Sequence, residues 1–306
     1  MIFNKNIGLF LISIFVLSAC DTAEDEPVPN SSDVSFTTVS PLGENVNDSA
    51  ALDAGPEVSY DGLELYFHSD RTGDLDIYVS KRASTADSWG PAESLSASIN
   101  SSENDKDASI SKDGLTLVIA SDRTGTAGGY DLYLSTRLSV NDPWSLPASL
   151  GNVVNSDLNE SGADLNADGR LLYFHSDRTG ADALGFSSLG GDDIYASNRV
   201  AVGSAWGAPV NLGTNVNSTG DDAAPEAASD SLTLYFHSTR PGGAGSHSIW
   251  SATRATVNDI WGVPALVPAP VNSAAKDVGP GLSTNWKTLY FASDFGGNTD
   301  IWIAEP

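Results

Sequence analysis

The sequence predicts an all-β fold, a five-bladed β-propeller of four-stranded antiparallel blades. Three observations predict it. A phrase of the form LYFHSDRTG recurs five times, at residues 65–73, 117–125, 172–180, 234–242 and 289–297, and self-similarity at a fixed period of tens of residues marks a repeat architecture. A tight-turn signal stands before each copy (Asp61-Gly62, Asp113-Gly114, Asp168-Gly169, Asp230-Ser231, Asn285-Trp286) and a strand-like run follows it (DIYVS, DLYLS, DIYAS, SIWSA, DIWIA). Finally, the piece missing from the last unit stands at the other end of the chain.

Each unit reads as four strands. Asx-Gly between apolar runs is a hairpin turn, so the turn joins an inner strand to the LYFHS strand, and the DIY run pairs back on that strand. The first four units then carry Trp89, Trp144, Trp206 or Trp261, an apolar residue six positions on, and Asn100, Asn155, Asn217 or Asn272 eleven positions on. These segments are the outer strands. The fifth unit ends at Pro306 without one, but Phe36, Leu42 and Asn47 repeat the same spacing, so residues 34–43 supply its outer strand. A sheet built from both termini closes a ring and leaves no unpaired junction between first and last blades. A linear solenoid has no use for that offset. Residues 181–191 are an insertion between the second and third strands of the third unit, rich in Gly, Ser and Ala, and predict a mobile loop that orders on contact with a partner.

The amino end reads as a processing signal. Lys5 precedes an apolar run over 7–19, too short and too early for a membrane span but suited to a signal-peptide core. Its end, Leu17-Ser18-Ala19-Cys20, resembles the bacterial lipobox, whose Cys is lipidated and becomes the first mature residue. Cys20 is the only cysteine, so this reading leaves no disulfide, thiol nucleophile or thiolate metal site. The expected domains are a lipoprotein signal peptide (1–19), a lipidated Cys with an acidic tether (20–33) and the propeller (34–306). The expected location is the bacterial cell envelope, with the lipid as the membrane anchor, in the outer membrane on its periplasmic side or at the cell surface.

The repeat pattern P-x-x-S-x-D-G-x-x-L-Y-F-x-S-D-R-x-G followed by D-I-Y, carried in the first unit by Pro56, Ser59, Asp61, Gly62, Tyr66, Phe67, Ser69, Asp70, Arg71, Gly73, Asp76 and Tyr78, resembles the WD40-like repeat of the TolB type found in bacterial envelope lipoproteins. Units two, four and five depart from it at Val118-Ile119-Ala120, Thr239 and Phe295. The resemblance implies a binding or assembly module, because such repeats specify fold strongly and function weakly.

With 15 Lys+Arg against 40 Asp+Glu, a formal net charge of -25 excludes nucleic acid as a default partner. Eight residues before each turn residue stands an acid: Asp53, Asp105, Glu160, Asp222 and Asp277. The spacing predicts that the five ring one mouth of the central channel. They are candidates for a Ca²⁺ site, as hard carboxylate oxygens suit that ion, or for recognition of a partner. In the structural alternative each carboxylate caps turn N–H groups or pairs with Arg71, Arg123, Arg178 or Arg240 of an adjacent blade. The loops after the SDR segments emerge at the same end, which makes that face the candidate binding face. His68, His175 and His237 share one repeat position, too far apart in adjacent blades for one metal, and predict hydrogen bonds between blades, with Asp70 and Asp177 as partners. The tryptophans predict packing, and the alternative for Trp286, in its hairpin turn, is exposure and stacking on a sugar. No nucleophile elbow, P-loop or HExxH motif is present. The expected function is a monomeric, non-enzymatic module binding an envelope protein or a glycan. The alternatives are a polysaccharide-active hydrolase or lyase, whose carboxylate pair would need two unlike environments, and an architectural subunit of an envelope complex.

Overall fold

The computed structural model describes residues 34–182 and 184–306; Cys20 and the expected signal segment and tether lie outside the described residues. Within them the chain forms twenty strands and no helix. Strand β1 (Thr38–Pro41) comes first. The first blade follows as β2 (Asp53–Val58), β3 (Glu64–Ser69), β4 (Asp76–Lys81) and β5 (Glu93–Ser94), and the second as β6 (Asp105–Ile110), β7 (Thr116–Ser121), β8 (Asp131–Thr136) and β9 (Ala148–Ser149). The third is β10 (Glu160–Leu165), β11 (Leu171–Ser176), β12 (Asp193–Asn198) and β13 (Val210–Asn211), and the fourth β14 (Asp222–Ala227), β15 (Thr233–Ser238), β16 (Ser248–Thr253) and β17 (Ala265–Leu266). In the fifth, β18 (Asp277–Leu282), β19 (Leu289–Ser293) and β20 (Asp300–Glu305) are completed by β1, in the order β1-β20-β19-β18.

The ring closes as the offset predicts. Thr38 to Pro41 pair antiparallel with Glu305 to Trp302, and the innermost strands touch in the cycle β2, β6, β10, β14, β18 and back to β2. Asn47 shows what the spacing that recurs in each unit does: it accepts from Ile301 N–H (2.9 Å) and donates to Ile301 C=O (3.0 Å), as Asn100 does with Ile77. One amide side chain thus continues the sheet where the outer strand is too short.

Because every sheet is covered on both faces, its central strands are apolar on both. Strand alternation sends Leu65 and Phe67 to one side, against Tyr290 and Ile301 of the fifth blade, and Tyr66 to the other, against Ala108 and Ile110 of the second. Among the described residues five hydrophobic clusters lie one at each blade interface. At about 1.5–3 kcal/mol for each large side chain fully buried, these interfaces hold the ring together. On four of the five outer rims an arginine lies over the repeated tryptophan, Arg82 on Trp89, Arg137 on Trp144, Arg199 on Trp206 and Arg254 on Trp261, at 4.1 to 4.3 Å from the ring centroid. Trp286 packs as the other tryptophans do, and the alternative of an exposed ring does not hold. It is buried in the interface between the fourth and fifth blades and donates its indole N–H to Ser229 Oγ (3.1 Å).

Every innermost strand carries a bulge, as the register with the second strand slips two residues after the ring acid. The bulged residue has a left-handed backbone in all five blades: Gly55, Asp107, Gly162, Ala224 and Gly279. The bulge turns the strand's second half toward the axis and so shapes the channel.

Candidate functional site

The ring acids begin the innermost strands, as the spacing requires, but the channel wall is built from other residues. Each carboxylate is buried and bound within its own blade, not by an arginine of an adjacent one. Asp105 accepts from Arg123 Nη2 (2.5 Å) through one oxygen and from Ser101 N–H (2.5 Å) and Oγ–H (2.8 Å) through the other. Glu160 is held by Arg178 (2.9 Å), Ser156 and Ser176, and Asp53 and Asp222 pair with Arg71 and Arg240. Each arginine continues to a backbone carbonyl, Arg123 to Ile99 and Arg178 to Val154, and lies over aromatic rings of its own blade. A Ca²⁺ ion on these oxygens would have to displace the guanidinium. In the fifth blade Phe295 replaces the arginine, and Asp277 is held instead by Ser273 N–H (2.7 Å), Ser273 Oγ and Ser293 Oγ (2.6 Å).

The channel is lined instead by the bulged halves of the innermost strands. At the end where these strands begin it opens as a cavity of about 310 Å³ whose wall holds His68, His175, His237, His247, Lys106, Asp107, Asp192 and Lys276. All four histidines of the chain are therefore in one cavity. The predicted bonds between blades are present with other partners. His175 Nδ1 accepts from Ala224 N–H (3.2 Å), His237 Nδ1 from Gly279 N–H (3.3 Å) and His68 Nδ1 from Asp107 N–H (3.3 Å), each in the next blade. Asp70 and Asp177 accept from Leu52 and Asn159 of their own blades. Burial holds all three imidazoles below the ordinary histidine range. A neutral ring that accepts at Nδ1 carries its proton on Nε2, so His175 and His237 present N–H donors for which the described residues provide no acceptor. Where the second blade has Ala120 in place of histidine, Asp107 takes over, accepting Gly162 N–H (3.2 Å). Asp107 also faces Lys106 (3.5 Å) and His68 (3.4 Å). Burial opposes ionisation there, yet these neighbours hold the carboxyl well below its usual range.

Two turns of pleat deeper stands a second set of acids that the sequence reading did not single out. Four residues after each ring acid come Glu57, Ser109, Asp164, Glu226 and Gly281. Each of the first four accepts the backbone N–H of the next blade: Ile110 to Glu57 (3.2 Å), Leu165 to Ser109 (3.0 Å), Ala227 to Asp164 (2.8 Å) and Leu282 to Glu226 (3.0 Å). At Gly281 a Cβ would stand 2.0 Å from Pro56 C=O, so the backbone itself closes the collar. Burial, and for Glu57 and Glu226 also the neighbouring acids, raises Glu57 to about 8, Asp164 to about 7 and Glu226 well above its usual value. Glu57 and Glu226 face both the main cavity and a second one of about 70 Å³ at the opposite end. The collar is the septum between them. Its sequence signal was a polar residue, in four units of five, on a strand buried on both faces. Among the described residues no group of three His, Cys, Asp or Glu side chains is placed to hold a metal ion.

Within the insertion one carboxylate gathers backbone N–H groups. Asp182 accepts N–H groups of Leu184, Phe186 and Asn211 (2.8 to 2.9 Å), which ties it to the outer strand β13 and away from the axis, with Leu184 and Phe186 exposed.

No protein-family model and no curated protein sequence matches the chain. Solved structures match in fold. They include TolB from Acinetobacter baumannii (TM-score 0.52, 15% identity, over 85% of this chain and 56% of that one), a thermostable family-43 glycoside hydrolase (TM-score 0.56, 12% identity, over 88% and 91%) and an α-L-arabinofuranosidase from Lactobacillus brevis (TM-score 0.51, 13% identity, over 83% and 90%). The chain thus spans little more than half the length of that TolB. At these identities the likeness is one of fold.

Proposed function

We propose that the protein is a binding propeller of the bacterial cell envelope, non-enzymatic, that receives a small polar group of a glycan or protein partner in its axial cavity. The observation that carries this reading is the cavity itself: it opens at the face where the innermost strands begin and gathers all four histidines and two lysines of an otherwise acidic chain. Its volume is at the lower end of the range of ligand pockets, about 300 Å³ and upward. The acids around it serve the fold first, as Asp107, Glu57 and Glu226 each accept a backbone N–H of the next blade. Location in the envelope rests on the Leu17-to-Cys20 segment and on the repeat pattern.

A glycoside hydrolase is the second reading, favoured by one observation. Asp107, held ionised, and Glu57, held protonated up to about 8, line the same cavity, and carboxyls pushed to opposite protonation states are what acid–base catalysis requires. One experiment separates the two. The full chain and its Thr299→Trp variant, which places a large ring at the cavity mouth, are incubated with xylan, arabinan and polygalacturonate while retention and new reducing ends are measured. The binding reading expects retention of at least one polymer, lost in the variant, without new reducing ends. Cleavage that disappears in both Asp107→Asn and Glu57→Gln would establish the hydrolase instead.

A further inference from the structure

We infer that the cavity takes a small organic carboxylate, one sugar ring or one amino acid in size, on an oxyanion subsite formed by Lys276, His237 and His247 between the fourth and fifth blades. The inference rests on the axial cavity being the binding site.

Charge accounting isolates Lys276. All the arginines are committed: four to the ring acids, four to the rim tryptophans, and Arg170 to Asp168. Lys81 pairs with Glu64, Lys106 with Asp107, and Lys112 lies over Tyr60. Among the described residues Lys276 and Lys287 alone of the lysines have neither an ion pair nor an aromatic face, and Lys276 lines the cavity. The repeat does not demand a cation there. The residue before the ring acid is Leu52, Asn104, Asn159 or Asp221 in the other blades, and both asparagines are used to bond Asp122 and Asp177. Lys276 occurs in the one blade whose ring arginine is missing. A residue that departs from what every blade uses is not there to solve a problem that every blade has.

Two neighbours of Lys276 are imidazoles, and the acids nearby are Asp294, which already accepts the Lys276 backbone N–H (2.8 Å), and Asp221. His247 and Lys276 form an isolated parallel bridge, and the His247 and His237 rings are 5.7 Å apart between centroids. His237 accepts at Nδ1 from Gly279 and so offers Nε2–H to the cavity. Burial first, then His175, His247 and Lys276, hold His237 far below the ordinary histidine range, so it faces Lys276 as a neutral donor. An ammonium and imidazole N–H groups facing one small space match an oxyanion, whose hydrogen bonds to charged donors are the strong kind. Acids stand in the second and third blades. Asp107 is already engaged by Lys106 and Gly162 N–H, whereas Asp192 faces the cavity beside His175. A ligand with its carboxylate toward Lys276 and a hydroxyl or amine toward Asp192 satisfies both residues. The cavity has room for about ten waters at ~30 Å³ each, enough for a single sugar acid.

Since every histidine lines the cavity, spectra of histidine-labelled full-length protein report its occupancy directly. The probes are D-galacturonate against D-galactose, and N-acetylalanine against its amide, at millimolar concentration. The expected result is a saturable shift of the His237 and His247 signals by at least one acid, with affinity about tenfold above its neutral counterpart, a difference of ~1.4 kcal/mol. Lys276→Met should abolish that preference and Lys276→Arg keep it. Which acid binds distinguishes a sugar acid from a peptide terminus. Equal binding of acid and neutral probes, or an unchanged preference in Lys276→Met, would overturn the oxyanion subsite and leave the cavity standing as a binding site. Histidine signals unmoved by either acid would also overturn the subsite, and the polymer-retention experiment then decides separately whether the cavity binds anything.

Discussion

The Asp105–Arg123 pair shows how firmly the fold holds its buried charges. The carboxylate is wholly buried and both oxygens are occupied, and removing one member of such a pair strands the other. Arg123→Met should cost about 3–5 kcal/mol, and the double change Asp105→Asn/Arg123→Met should cost less than the sum of the single changes, as a double-mutant cycle in urea would show. For the same reason millimolar Ca²⁺ in place of EDTA should leave the melting midpoint unchanged. A rise of several degrees that is lost in Asp277→Asn would show that the arginine-free member of the ring takes the ion. The collar makes a different prediction. Glu57, Asp164 and Glu226 are raised in the native state, so the native state binds more protons than the unfolded chain above about pH 4.5, and stability falls as pH rises through about 7 to 8. His68, His175 and His237 are lowered, so stability also falls as pH drops below about 6.5, where the unfolded chain takes up protons. Maximal stability should therefore lie between about pH 4.5 and 6.5. Glu57→Gln, which keeps an acceptor for Ile110 N–H, should flatten the alkaline fall; thermal melts from pH 5 to 9 would show an unchanged slope if the carboxyl does not carry it.

Among the elements, β1 has the largest consequence for its size. Four residues cover the edge of β20, and Asn47 clips the same strand from across 254 positions of sequence. Deleting residues 34–41 should expose β20 as an unpaired edge and give concentration-dependent association, visible in sedimentation velocity. A deletion variant that stays monomeric and keeps its melting midpoint would contradict the closure. This element was legible, because Phe36, Leu42 and Asn47 repeat a spacing found four times elsewhere. The bulges were not. Gly55, Gly162 and Gly279 carry the left-handed backbone, but Asp107 and Ala224 adopt it too, so no single residue type marks the position. In the insertion, Gly, Ser and Ala content conceals one residue, Asp182, whose carboxylate binds three backbone N–H groups.

Over the whole molecule, symmetry was what the sequence conveyed and asymmetry what it concealed. Five matching acids drew attention to the ring, yet a feature common to all blades proved to be internal to each. The cavity is made from departures: histidine in three blades but Ala120 and Ala292 in two, Asp107 where others have Gly or Ala, and Lys276 where none has a cation. Periodicity locates such positions but does not say that they converge, since convergence depends on the bulge. The central claim is that this axial cavity is the binding site. Its most direct test is the histidine spectrum of the full chain titrated with fragments of whichever polymer it retains. The account predicts saturable shifts of the cavity histidines, abolished by Thr299→Trp, with the indole signals of Trp89, Trp144, Trp206 and Trp261 unmoved. Binding that shifts the rim tryptophans and leaves all four histidines in place would contradict it.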